Sequence, residues 1–154
     1  MAYTHGYYDQ MLAQGMAYEG YVRMQIEQQL YIKLDIVQGL EQQEDIGETR
    51  QGVEIKYDKK YAHTQNLYIE LAEKCRPWKA EWTPAGIYRD DNTWLIAIGD
   101  YTVIFLFSKR QLQQHVQMHW DQIIRTETSI GILLDPSTIE RLAVHIIKSE
   151  TSNG

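Results

Sequence analysis

The sequence has very little cysteine, no long hydrophobic run and no excess of positive charge. Cys75 is the single cysteine among 154 residues, so the chain can form no internal disulfide and has no cysteine partners for a structural zinc site. No run approaches the roughly 18 apolar residues that span a bilayer, and the start of the chain lacks the basic and apolar regions of a signal peptide. We therefore expect a cytoplasmic protein with no membrane partner.

Basic residues are outnumbered, since 15 Lys and Arg stand against 21 Asp and Glu and give a net charge of −6. Affinity for a nucleic-acid backbone comes mainly from Lys and Arg that neutralise phosphates, so any nucleic-acid surface must be local or metal-assisted. Hydrophobic residues make up 44% and charged residues 23%, as in ordinary globular proteins. The length fits one domain over residues 1–154.

The first part of the chain shows helical periodicity. Between about residues 15 and 34, apolar side chains recur at Tyr18, Val22, Ile26 and Leu30. Glu19 belongs to the same stripe, so a carboxylate is directed inward near the start of this helix. A short strand is expected near residues 34–40, followed by a polar loop that contains several glycines.

The middle of the chain alternates apolar and polar residues with period two. This pattern in GVEIKYD (52–58) and NLYIELAEK (66–74), joined by KKYAHTQ, predicts a β-hairpin. Further strands are expected at 86–89, 93–100 and 102–108, with one helix capped by Ser108 and another that begins near Asp135 and continues through LAVHII. The predicted fold class is α/β, with a central mixed sheet of five or six strands flanked by helices.

A hairpin centred on Ala62 would place Glu54 opposite Glu70. The same face would carry Lys56, Asp58, Asn66, Tyr68 and Lys74, whereas Val53, Ile55, Leu67, Ile69 and Leu71 would form the apolar face. Two facing carboxylates repel each other and require a cation, and Mg²⁺ or Mn²⁺ suits oxygen ligands. Such an ion could activate water and stabilise charge on a scissile phosphate, with a lysine beside it. The alternative is a solvated, charged sheet face without chemistry.

These residues resemble the PD-(D/E)XK nuclease superfamily, which includes restriction endonucleases and Holliday-junction resolvases. GMAYEGYVRMQIEQQL is similar to the first helix of archaeal-type resolvases, QGVEIKYD to their metal-binding strand, and TQNLYIELAEK to small phage-encoded proteins. The resemblance implies a restriction-endonuclease-like fold, with Glu19 as the helix acid and Glu54 and Glu70 as metal ligands. Ala72 stands where the pattern has lysine, so Lys56 or Lys74 would take the catalytic role.

A second register of the same pattern treats Glu54-Ile55-Lys56 itself as the E-x-K element. The earlier acid would then come from the preceding loop, at Glu41, Glu44, Asp45 or Glu48. Both registers retain Glu54 and Lys56, and Asp58 on the same strand face completes the expected set of metal ligands.

The resulting expectation is a metal-dependent endonuclease that hydrolyses DNA phosphodiester bonds. Glu54, Glu70 and Asp58 would hold the metal, Lys56 and Lys74 are the candidate catalytic lysines, and Glu19 would assist. One alternative is a catalytically inactive nuclease-fold accessory protein, which the missing lysine at position 72 favours. Another is an interaction protein that forms a homodimer through its aromatic surface. Trp78 and Trp82 are separately the candidate aromatic contacts to a substrate.

Overall fold

The computed structural model of the chain describes residues 5–149, which form five α-helices and eight β-strands over that range. The helices are α1 (His5–Leu30), α2 (Leu40–Asp45), α3 (Tyr61–Thr64), α4 (Lys109–Met118) and α5 (Pro136–Leu142). The strands are β1 (Val53–Tyr57), β2 (Leu67–Glu73), β3 (Thr83–Pro84), β4 (Leu95–Gly99), β5 (Val103–Ser108), β6 (Ile124–Arg125), β7 (Ser129–Leu134) and β8 (His145–Lys148). Within the described range, no helix has the length and apolar character needed to cross a membrane.

The strands form two separate four-stranded sheets. Sheet 1 has the order β1-β4-β5-β8, with β1 parallel to β4 and the remaining pairs antiparallel. Sheet 2 has the order β3-β2-β7-β6 and is antiparallel throughout. The predicted α/β class is confirmed, but the prediction of one central sheet with five or six strands is wrong.

The predicted hairpin between residues 52–58 and 66–74 is also wrong. β1 pairs with β4, so Glu54 lies beside Ile96, and β2 pairs with β7, so Glu70 lies beside Gly131. Val53, Glu54 and Ile55 are all buried, as is usual for a strand paired in parallel and covered on both faces. Period-two alternation identifies a strand and its faces, but it does not identify the partner strand.

Helix α1 packs on one face of sheet 1 and forms the first core. Its buried stripe of Tyr18, Val22 and Ile26 confirms the predicted helical spacing, and the helix extends further toward the N-terminus than expected. The stripe meets the strand residues Val53, Ile55, Leu95, Ala97, Ile104, Leu106 and Ile147. Burial of these aliphatic side chains, at roughly 25 cal/mol per Å² of apolar surface, holds the helix against β1.

The opposite face of sheet 1 packs against sheet 2 and forms the second core. The inward residues of β2 meet those of β4 and β5, and the side chains are Leu67, Ile69, Leu71, Ile96, Ile98, Phe105 and Phe107. Helices α4 and α5 cover this core with Leu112, Val116 and Ile139. Helix α4 begins as predicted, because Ser108 Oγ accepts a hydrogen bond of 3.3 Å from the Gln111 amide.

Three local predictions differ from the structure. Residues 34–40 contribute one isolated bridge, between Ile36 and Thr49, rather than a strand. Residues Gly86–Tyr88 form a 3-10 turn, in which Gly86 has a φ of +53° and packs against the Glu70 backbone. Helix α5 is capped by Asp135 and ends at Leu142, and the β-branched Ile146 and Ile147 that follow belong to strand β8.

Candidate active site

Strand β1 places Glu54 and Lys56 on one face, as their spacing of two residues predicts. Lys56 Nζ lies 3.1 Å from Glu54 Oε1 and forms an ion pair with it. The Glu54 side chain is only 5% exposed, whereas that of Lys56 is 49% exposed. Glu54 is therefore a buried carboxylate whose cation can still reach solvent.

The segment before β1 runs along the free edge of this strand and caps its backbone with side chains. Thr49 Oγ1 accepts a hydrogen bond from the Val53 amide and donates one to the Val53 carbonyl, both at 2.8 Å. Glu48 Oε2 accepts a hydrogen bond of 3.3 Å from the Ile55 amide. These bonds hold the Glu48 carboxyl beside Glu54 and Lys56, although the two glutamates are six residues apart.

Glu19 on α1 completes an acidic group around Lys56. Burial is the main cause that raises the pKa of Glu48 to about 9, and a hydrogen bond with the Glu19 carboxyl and the charge of Glu19 raise it further. Glu48 therefore retains its proton near neutral pH. Burial lowers the pKa of Lys56, but the Glu54 and Glu48 carboxylates outweigh this effect and leave the pKa raised, so Lys56 stays an ammonium.

Glu70 approaches the same lysine from sheet 2. Burial raises its pKa, the charge of Lys56 opposes this rise, and Ser129 Oγ donates a hydrogen bond of 3.2 Å to Glu70 Oε2. Glu54, Lys56 and Glu70 line one cavity of about 390 Å³. The structure thus brings Glu54 and Glu70 to one cavity from two different sheets.

Glu54 and Lys56 also line a second cavity of about 720 Å³, on the α1 side. This second cavity contains Glu19 and Glu48, together with the cationic side chains of Arg23, Lys59 and Arg89. The Glu54–Lys56 pair therefore separates an acidic pocket with a partly cationic rim from the cavity that contains Glu70. Both openings give access to the half-exposed ammonium of Lys56.

Asp58 lines the smaller cavity, but its carboxylate is occupied by the backbone. Oδ1 accepts hydrogen bonds from the amides of Lys60 (3.0 Å) and Tyr61 (3.1 Å), and Oδ2 accepts one from the Tyr68 amide (3.0 Å). These bonds fasten the start of α3 and of β2 to the end of β1. In this arrangement Asp58 acts as a structural cap.

Lys74 lies apart from the other predicted residues. It follows β2, and its Nζ is 4.5 Å from the centre of the Trp82 ring. It lines neither of the two cavities that contain Glu54. Of the two candidate lysines, only Lys56 is placed beside the acidic residues.

Two buried carboxylate oxygens around Lys56 accept no hydrogen bond from an N–H or hydroxyl group: Glu54 Oε2, and Glu48 Oε1, whose carboxyl faces that of Glu19. Unpartnered carboxylate oxygens in a shared acidic cavity are suited to a hard divalent cation such as Mg²⁺, which takes oxygen ligands and retains several waters. Within residues 5–149, no group of three or more His, Cys, Asp or Glu side chains has the arrangement of a metal site. Glu48 and Glu54 are thus a candidate metal site with two carboxylate ligands.

The sequence analysis named Glu48 as one of four acids in the second register. The structure places it at the site, because the edge of β1 needs a hydrogen-bond acceptor at Ile55. On helix α4 the ring centres of His115 and His119 are 4.2 Å apart in a stacked arrangement, and His115 is buried. Comparison of the chain with family models, with curated proteins and with solved structures found no match.

Proposed function

We propose that this chain is a metal-dependent nuclease that hydrolyses DNA phosphodiester bonds at the acidic site around Lys56. The observation that carries the proposal is the unpartnered buried oxygen Glu54 Oε2 beside the ammonium of Lys56, in a cavity that also contains the carboxyls of Glu48 and Glu19. This arrangement corresponds to the second register of the PD-(D/E)XK pattern, with Glu48 as the earlier acid and Glu54-Ile55-Lys56 as the E-x-K element. We propose a restriction-endonuclease-like fold as part of the same assignment.

Glu48 and Glu54 would hold Mg²⁺ or Mn²⁺, with Glu48 releasing its proton when the ion binds and Glu19 assisting from α1. The bound ion would supply activation of water and stabilisation of negative charge on the phosphate. Lys56 would hold the attacking water or a phosphate oxygen, because its ammonium is half exposed to both cavities. Arg23, which lines the larger cavity, would bind a neighbouring phosphate of the strand.

The test combines metal binding with DNA cleavage. Calorimetric titration with Mn²⁺ and cleavage of plasmid and branched DNA should both respond to Glu54→Gln, with cleavage reduced by at least about a hundredfold. Lys56→Met should abolish cleavage but leave Mn²⁺ binding in place. Glu41→Gln is the matched control, because this acid is exposed on α2 and lines neither cavity. Cleavage that survives Glu54→Gln would refute the assignment.

Mn²⁺ binding by the Glu48 and Glu70 variants distinguishes the two registers of the PD-(D/E)XK pattern. Glu48→Gln should abolish Mn²⁺ binding if Glu48 and Glu54 hold the ion, and Glu70→Gln should then leave binding within about threefold of the parent. The reverse result would support Glu54 and Glu70 as the metal pair, as the first register has it. In either case Glu54 remains a ligand.

An inactive nuclease-fold protein is the second candidate function. It is favoured by the absence of a three-ligand metal group within residues 5–149 and by Ala72 in place of the lysine of the first register. A chain that binds neither Mn²⁺ nor Mg²⁺ yet still binds DNA would support it. We also propose a cytoplasmic location and a homodimer. Sedimentation with and without DNA tests the dimer.

A further inference from the structure

A surface patch at the end of sheet 2 combines two tryptophans with four cations. We call it the Trp patch, and it consists of Lys74, Arg76, Trp78, Lys79, Trp82 and Arg125. None of these residues lines the two cavities that contain Glu54. The patch is therefore separate from the candidate active site.

Cations lie over both tryptophan rings of the patch. Lys74 Nζ and the Arg125 guanidinium carbon are 4.5 Å and 5.5 Å from the centre of the Trp82 ring. The Arg76 guanidinium carbon is 5.4 Å from the centre of the Trp78 ring. Lys74 follows β2 and Arg125 belongs to β6, so side chains from two parts of the chain converge on Trp82.

Trp78 is presented to solvent by a defined turn. The Lys79 amide donates a hydrogen bond of 3.1 Å to the Arg76 carbonyl, and Pro77 occupies the second position of this four-residue turn, where its fixed φ is favourable. The Trp78 side chain is 73% exposed. An ordered, exposed indole loses little conformational freedom when a flat ligand stacks on it.

The four cations of the patch form no ion pair with a carboxylate within the described part of the chain. Three acids on the same segments, Glu73, Glu81 and Glu127, keep the local charge balance close to even. Charge alone would therefore give weak attraction for a duplex. Stacking of exposed bases on indole rings, with phosphates held by nearby cations, suits this composition better.

We propose that the Trp patch binds a single-stranded segment of nucleic acid, with a base stacked on Trp78 and phosphates bound by Arg76, Lys79 and the cations beside Trp82. This inference deepens the proposed function, on which its biological meaning rests, because it names the form of nucleic acid that the chain would bind. Binding needs no metal and no cleavage. The patch is thus a strand-binding surface that works independently of the acids around Lys56.

The experiment measures fluorescence anisotropy of labelled oligo-dT, oligo-U and a duplex, each of about 20 nucleotides, with a chelator and about 50 mM salt. Single strands should bind at least about tenfold more tightly than the duplex. The dT and U arms establish whether DNA or RNA is preferred. Raising the salt should weaken single-strand binding with a log–log slope of about −0.7 per phosphate contacted.

Two variants test the residues. Trp78→Ala should weaken single-strand binding by about tenfold, as loss of one stacked base does, and Arg76→Glu should weaken it and reduce the salt slope by about 0.7. The matched controls are Trp120→Ala and Arg110→Glu, which alter an exposed tryptophan and an exposed arginine outside the patch and should leave the Kd unchanged.

Three results would overturn the inference: no single-strand binding by the parent chain, tighter or equal binding of the duplex, or patch variants that bind like the parent. Glu54→Gln separates this inference from the proposed function. That variant should bind single strands normally even though it does not cleave DNA. If strand binding fails while cleavage is intact, the inference about the Trp patch is wrong and the proposed function of the acidic site is unaffected.

Discussion

Lys56 Nζ lies 3.1 Å from Glu54 Oε1, and the two side chains differ about tenfold in their exposure to solvent. The carboxylate is buried among the aliphatic side chains of the second core, whereas the ammonium reaches both cavities. A buried charge with one partly solvated partner depends strongly on that partner. The pair therefore contributes both to the stability of the fold and to the proposed chemistry.

Lys56→Met should destabilise the fold, because it leaves the buried Glu54 carboxylate without a cation. We expect a loss of about 2 kcal/mol in the free energy of unfolding, less than for a fully buried pair because water reaches Lys56. Urea unfolding monitored by circular dichroism measures it. Adding Glu54→Gln should recover most of the loss, and a double variant no more stable than Lys56→Met would contradict this account of the pair.

The sequence predicts those parts of the site that depend on local spacing. Glu54 and Lys56 share a face because they are two residues apart on a strand, and Glu19 lines the larger cavity because it follows the buried stripe of α1 at helical spacing. Glu70 reaches the same cavity through the packing of two sheets, which alternation along one strand cannot reveal. The predicted hairpin placed Glu54 near Glu70. Both residues do line one cavity, but they reach it from two different sheets and not from paired strands.

Glu48 and Asp58 illustrate a second limit of sequence reasoning. Both are acids near β1, and the sequence analysis expected Asp58 as a metal ligand and Glu48 only as one of four acids of the second register. Their roles diverge because of backbone amides: Asp58 is occupied by three of them, whereas Glu48 accepts one and keeps an oxygen free. Which amides lack partners depends on the edges of the sheets, and a sequence pattern does not specify those edges.

Asp58→Ala should destabilise the protein without affecting metal binding. The change leaves three backbone amides without their acceptor, at an expected cost of about 2 kcal/mol. Asp58→Asn should cost roughly half as much, because its remaining oxygen can still accept the bonds from Lys60 and Tyr61. Thermal unfolding and Mn²⁺ titration measure the two effects. Unchanged stability with lost Mn²⁺ binding would make Asp58 a ligand, as the sequence analysis expected.

Asp91 anchors a second buried ionic group beside the larger cavity, where Arg89 Nε lies 3.5 Å from Asp91 Oδ2. Lys109 Nζ lies 3.3 Å from Asp91 Oδ1, and the Asp91 side chain is buried. Burial raises the pKa of Asp91, but hydrogen bonds from Thr93 and the charge of Lys109 outweigh it and leave the pKa lowered. The ionised form is thus favoured in the folded state.

Asp91→Asn should cost about 3 kcal/mol at neutral pH, because Lys109 is left buried without its carboxylate. A lowered folded-state pKa gives stability that is present above the unfolded pKa of about 3.9 and is lost as the pH falls through the folded value. The difference between the parent and the variant should therefore shrink below about pH 4. Urea unfolding over an acid pH series measures it, and a difference that stays constant to low pH would contradict the role of Asp91.

Glu48 should give the opposite pH dependence, measured with a chelator present. Because the folded-state pKa of Glu48 is raised to about 9, the folded chain retains a proton that the unfolded chain releases above its ordinary value. The stability that this proton contributes is complete at low pH and declines as the pH rises from about 4.5 toward the folded-state value. Glu48→Gln cannot ionise, so its free energy of unfolding should rise relative to that of the parent by up to about 1.4 kcal/mol per pH unit above about pH 4.5.

Thermal unfolding of the parent and of Glu48→Gln between about pH 5 and pH 8 tests this difference. The control is Glu44→Gln, an exposed acid in α2 that lines neither cavity, and its stability should follow that of the parent at every pH. Glu19→Gln should reproduce part of the gain, because it removes the negative charge that faces Glu48 while an amide can still donate a hydrogen bond to it. If Glu48→Gln and the parent unfold with the same pH dependence, Glu48 is ionised in the folded chain and does not retain its proton.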